Sequence, residues 1–108
     1  MSLNLPKPIA DYFEADRGSG ESVEKCFVSN AVVRDEGKTY HGVNEIREWR
    51  AEVAAKFTYT CQPLAMQQQD DRTVVTCRLE GNFPGSPVNL RFFFKLSGDK
   101  IQDLEVIP

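Results

Sequence analysis

The chain has 108 residues, 41% of them apolar and 10% aromatic, with 13 basic against 16 acidic side chains and a net charge of −3. That length suits one domain, residues 1–108, with a single core that buries roughly two-thirds of the unfolded surface. The basic residues are interspersed with acidic ones and form no patch, so the footprint of a nucleic-acid-binding protein is missing.

No apolar run approaches the roughly 20 residues of a membrane helix, and the N-terminus lacks the basic-then-apolar order of a signal peptide. The expected location is cytoplasmic, with no membrane partner. Cys26, Cys61 and Cys77 are too far apart for a paired metal or redox motif, and an odd count does not suit a disulfide framework. They read as small buried hydrophobes. With one histidine and scattered cysteines there is no metal-ligand spacing, and no cofactor motif is present.

In chain order, residues 5–18 predict a first helix: Pro6 and Pro8 suit its entry, Ile9, Tyr12, Phe13 and Asp16 recur at helical spacing, and Gly18 suits its end. A second, shorter helix is expected from Ser22 as N-cap through Val23, Cys26 and Phe27 to Ser29-Asn30, hinged on Gly18-Ser19-Gly20. The β-branched Val32-Val33 and Thr39-Tyr40 around Gly37 predict two short extended segments, the first ending in Asp35. Gly42 supplies a left-handed step into a third helix that begins near Asn44, whose side chain can cap it, and carries Ile46, Trp49, Val53 and Phe57 along one face.

Four extended pieces follow, at 57–69, 72–83, 88–96 and 100–107, with Pro84-Gly85-Ser86-Pro87 and Ser97-Gly98-Asp99 as turn signals. Helices followed by an antiparallel sheet make an α+β fold. Alternation puts Leu90, Phe92, Phe94 and Leu96 on one face, assigned as inner, and Arg91, Phe93 and Lys95 on the other. On the last strand Leu104 and Val106 are placed inside, and Ile101, Asp103, Glu105 and Ile107 outside. Phe93 on an outer face suggests a homodimer through the sheet.

The succession Phe27, Ala31, Val33, Asp35, Tyr40, Gly42, Ile46, Trp49 resembles the SnoaL-like, polyketide-cyclase-like branch of the nuclear transport factor 2-like superfamily. The resemblance extends over nearly the whole chain. It implies three helices on a curved, mostly antiparallel sheet that wraps the long helix into a cone, whose open end admits a small ligand. It also places Asp35 where the ketosteroid isomerases of the superfamily keep a catalytic aspartate, so Asp35 is the candidate general base.

Those isomerases hold the enolate with a tyrosine on the first helix and a protonated acid on the strand matching 88–96. Here these positions fall on Asp11, next to Tyr12, and on Phe92, so both donors are missing. The epoxide hydrolases of the superfamily use an Asp-Arg-Asp set, for which Arg78, Arg91 and Asp103 are the residues at hand, with Arg91 and Asp103 expected to point outward. His41 reads as a surface-turn residue. Tyr12, Phe13, Phe27, Trp49, Phe57, Tyr59, Phe92 and Leu104 form the candidate ligand-binding lining. Two functions stay open: an enzyme acting on a small, largely apolar carbonyl compound, with Asp35 moving a proton as in an isomerase or cyclase, and a non-catalytic ligand-binding or dimerisation module.

Overall fold

Apart from one helix, most of the chain after residue 26 is extended, and a computed structural model, which describes residues 3–17 and 23–108, gathers those strands into one curved six-stranded sheet. The elements are α1 (Lys7–Arg17), β1 (Phe27–Asp35), β2 (Lys38–His41), α2 (Gly42–Lys56), β3 (Tyr59–Gln69), β4 (Arg72–Gly81), β5 (Val88–Ser97) and β6 (Lys100–Ile107). The sheet order is β2-β1-β6-β5-β4-β3. Every neighbouring pair is antiparallel except β1 and β6, which run parallel and make the sheet mixed. Among the described residues no helix is long and apolar enough to cross a membrane.

The fold differs from the expected three helices. The second helix is a single 3-10 turn, Val23–Cys26, and Phe27, Val28, Ser29 and Asn30 belong to β1. The strand starts early because Phe27 pairs with Ile101 on β6, and a register shift before Val32 absorbs the polar Ser29-Asn30 step. The Ser22 cap and the Gly18-Ser19-Gly20 hinge lie outside the described residues.

The central helix starts at Gly42, two positions before the expected Asn44, so Asn44 is not its cap. His41 precedes it with extended backbone, and its N–H donates to Glu45 Oε1 at 2.8 Å. Gly42 has φ +81°, a conformation that strains any residue with a Cβ.

Strand polarity followed alternation, with one exception. Phe92, Phe94, Leu104 and Val106 are buried, but so is Ile101, which alternation placed outside. Lys95 pairs with Asp103 while the next residue, Leu96, pairs with Ile101; Gln102 is the extra residue of a bulge that reverses the facing of β6. The core is aromatic at its centre. Tyr12 meets Phe94 and Phe13 meets Phe92 edge to face, with ring centroids 5.6 and 5.4 Å apart. Ile46 and Trp49 cover β1 from α2, where Ala31 and Val33 face inward. Cys61 and Cys77 are buried as expected, whereas Cys26 is only half-buried, and all three thiols are free.

Candidate functional site

Alternation along β1 turns Ala31, Val33 and Asp35 to the same inner face, and the strand ends at Asp35 because a hairpin turn follows. Glu36 and Gly37 both take positive φ, 52° and 77°, which is the two-residue turn that matches strand twist. The last inward position of β1 is therefore a carboxylate at the edge of the core. Trp49 reaches it from α2, its Nε1–H donating to Asp35 Oδ2 at 3.0 Å. Burial pushes the Asp35 carboxyl above the ordinary carboxylate value of 3.8, and the Trp49 hydrogen bond opposes that shift without cancelling it.

Asp35 lies in the wall of a cavity of about 510 Å³. Val53, which also packs against the core, and Phe57 at the end of the α2 stripe border this space, and Leu90, Phe92 and Val106 supply its sheet side. Phe83, Pro84 and Gly85 form part of its rim, and the exposed Glu36, Lys38, Glu52 and Lys56 stand at its mouth. Apolar walls with few polar groups are the usual make-up of a small-molecule site.

Of the residues expected in the lining, Tyr12, Trp49, Phe57, Tyr59 and Phe92 reach the cavity wall together with Asp35. Phe13, Phe27 and Leu104 do not; they are packed in the core. Phe13 follows Tyr12 on α1, about 100° around the helix, and Leu104 pairs with Phe94 and Val33 in the middle of the sheet. His41 is exposed and away from the cavity. The Asp-Arg-Asp set drawn from the strands is not assembled: Arg78 pairs with Glu80 at 3.5 Å, Arg91 donates to the Pro108 carbonyl oxygen, and Asp103 pairs with Arg34 at 3.0 Å. Among the described residues no three His, Cys, Asp or Glu side chains converge to hold a metal ion.

The structure adds a polar cluster that the sequence reading missed. Asp16 on α1 and Arg50 on α2 form a hydrogen-bonded ion pair with only 7% and 8% of their side chains exposed, and both line the cavity. The same Arg50 Nη2 donates to the Tyr59 hydroxyl at 2.7 Å. Burial pushes the Asp16 carboxyl upward, while the Arg50 charge and the Tyr59 hydroxyl pull it back. The guanidinium also lies over the Trp49 ring, 4.8 Å from its centroid. A signal was available for both residues. Asp16 is four residues from Tyr12, and Arg50 four from Ile46 and three from Val53, so each sits inside an apolar stripe, where a charge is unusual.

No family model and no curated protein matches the chain. Among solved structures, a Sinorhizobium meliloti protein classed provisionally as a polyketide cyclase superposes with a TM-score of 0.91 at 33% identity, the match covering 98% of each chain. The chain belongs to the SnoaL-like branch of the nuclear transport factor 2-like superfamily. More distant solved structures share the fold of this SnoaL-like chain. A protein of Catenulispora acidiphila with a ketosteroid-isomerase-like fold, solved with trimethylamine, gives a TM-score of 0.84 at 16% identity over 97% of this chain and 87% of that one. The epoxide hydrolase/cyclase-like enzyme SalBIII, which has a role in pyran ring formation in salinomycin, gives 0.75 at 22% identity over 93% and 86%.

Proposed function

We propose that the cavity binds a small, largely apolar carbonyl compound and that Asp35 removes a proton from the carbon beside the carbonyl, in an isomerase- or cyclase-like reaction. The observation that carries this reading is the placement of Asp35. It is a carboxylate raised in pKa by burial, fixed by Trp49 and set in the wall of an apolar cavity. A general base works best when its pKa approaches the working pH and its orientation is fixed, and such a group contributes roughly 10²- to 10⁴-fold in rate. The provisional polyketide cyclase class of the Sinorhizobium meliloti relative supports the cyclase-like side of this reading.

The test is deuterium uptake at the carbon beside the carbonyl in a panel of small cyclic ketones and 1,3-diketones, followed by NMR in heavy water. Wild type is expected to accelerate uptake and Asp35→Asn to lose most of that acceleration. Equal rates in the two proteins would sink the base assignment. Binding without any exchange in wild type would leave the cavity as a site that holds a ligand and does no chemistry.

A further inference from the structure

Proton removal beside a carbonyl sends electrons to the carbonyl oxygen, and the positions that receive them in ketosteroid isomerases are unsuited here. Asp11 is exposed and paired with Lys7 at 3.0 Å, and Phe92 is a hydrocarbon. A donor for this oxygen has to come from another part of the wall.

Tyr59, the first residue of β3, offers one. Its oxygen accepts a hydrogen bond from Arg50 Nη2 at 2.7 Å, so its own proton must be given elsewhere. Among the described residues it goes to Asp16 Oδ1 at 3.5 Å, a bond that is long for an O–H donor and ends on an oxygen that also accepts from Arg50. Tyr59 is half-buried on the cavity wall, and its polarised O–H is held by that one long bond, which a ligand oxygen at the wall can replace. Tyr12, also on the wall, is enclosed at 1% exposure by the rings of Phe13, Phe27 and Phe94.

Two adjacent residues of α2 bear on the base and on this donor. Trp49 hydrogen-bonds Asp35, and Arg50 hydrogen-bonds Tyr59. One rigid helix thus sets both groups against the same space.

Resting on the proton-transfer reading above, we propose that the Tyr59 hydroxyl is the donor that receives the ligand's carbonyl oxygen, with Arg50 as its positioning residue and Asp16 as the anchor of Arg50. Asp35 takes the proton from carbon, the C–H electron pair becomes the C=C bond of an enolate, and the carbonyl π pair moves onto the oxygen hydrogen-bonded to Tyr59. Return of the proton from Asp35 to carbon restores the C=O bond, so no oxidant or reductant enters. The substrate class is an enolisable ketone, ester or 1,3-dicarbonyl compound.

The probe is a series of substituted phenols, including 4-nitrophenol, whose phenolates are planar oxyanions conjugated to carbon as an enolate is. Binding is measured by absorbance in Asp35→Asn, where the like charge of the base is removed. Adding Tyr59→Phe is expected to weaken phenolate binding roughly 10- to 100-fold, the range of one hydrogen bond to a charged group. The tightening of affinity with phenolate basicity should flatten in the same variant, which a merely structural role would not cause. Arg50→Lys keeps Tyr59 and the buried charge but loses the guanidinium geometry, and is expected to flatten the trend in part. Unchanged affinity and trend in both variants, or no phenolate binding, would overturn the proposal. Phenolate binding does not use the base, so loss of the Asp35 assignment in the exchange experiment would leave this result readable by itself.

Discussion

Asp16→Ala removes the partner of a buried cation. The Asp16 and Arg50 side chains are 7% and 8% exposed, so truncating the acid leaves a guanidinium with the Tyr59 oxygen and the Trp49 ring as neighbours but no counter-charge in contact. Breaking such a pair from one side costs about 3–5 kcal/mol, a large share of the roughly 5–15 kcal/mol that holds a domain of this size. At about 4–5 °C per kcal/mol, the melting temperature should fall by about 12–25 °C. Replacing both residues with apolar ones, Asp16→Leu with Arg50→Met, should recover most of the loss, because the pair offsets its own desolvation poorly. Urea and thermal unfolding followed by circular dichroism read both effects. A loss below about 1 kcal/mol for Asp16→Ala would mean that water enters from the cavity and solvates Arg50, and the account of a dry, preorganised cluster would be wrong.

Burial holds the Asp35 and Asp16 carboxyls above their ordinary value of 3.8, so the native chain keeps these protons to higher pH than the unfolded chain does. Their contribution to stability is greatest below that value and falls as pH rises through the window up to the raised pKa values. Asp35→Asn should flatten part of this slope in unfolding measured across the acid range. Trp49→Phe removes the 3.0 Å hydrogen bond that favours the Asp35 carboxylate, so NMR titration of the Asp35 carboxyl carbon should show its pKa rising further; a fall would contradict the assigned contact. A Cβ on Gly81 would overlap the Thr58 carbonyl oxygen and approach Tyr59 Cα to 2.7 Å, so Gly81→Ala should cost about 1–3 kcal/mol and weaken phenolate binding through displaced Tyr59. On the outer face Phe93 lies beside Val74 and beneath Arg91, 5.5 Å from its ring centroid; if two copies pair there, Phe93→Asp shifts sedimentation at micromolar concentration from dimer to monomer. A monomeric wild type would remove that contact.

The parts of this molecule that the sequence discloses are those governed by local pattern. Asp35 was legible as a strand-end acid because Glu36-Gly37 ends the strand there, and as a candidate base only through the family resemblance; the structure adds that it turns inward with Ala31 and Val33. The β5 faces were legible from period-two alternation. The misread positions depend on strand pairing. Phe27 to Asn30 becomes a strand through its parallel neighbour β6, far along the chain, and Ile101 turns inward through a bulge at Gln102 in the β5–β6 hairpin; the side-chain pattern of either stretch by itself does not show the pairing that decides it.

Asp16 and Arg50 were hidden by a different cause. A charged residue at helical spacing among apolar ones ordinarily marks the border of the buried stripe, with its head in water. Here both lie within the stripe, because α1 and α2 carry opposite charges to the same side of the sheet and each neutralises the other. Burying that pair brings little stability on its own, since a hydrophobic pair of similar volume does as well or better. Its consequence is positional: it fixes the guanidinium that hydrogen-bonds Tyr59, one residue along the helix from the indole that fixes Asp35. A polar cluster that contributes little to folding yet orients the Tyr59 hydroxyl on an apolar cavity is what a functional role, rather than stability, would favour.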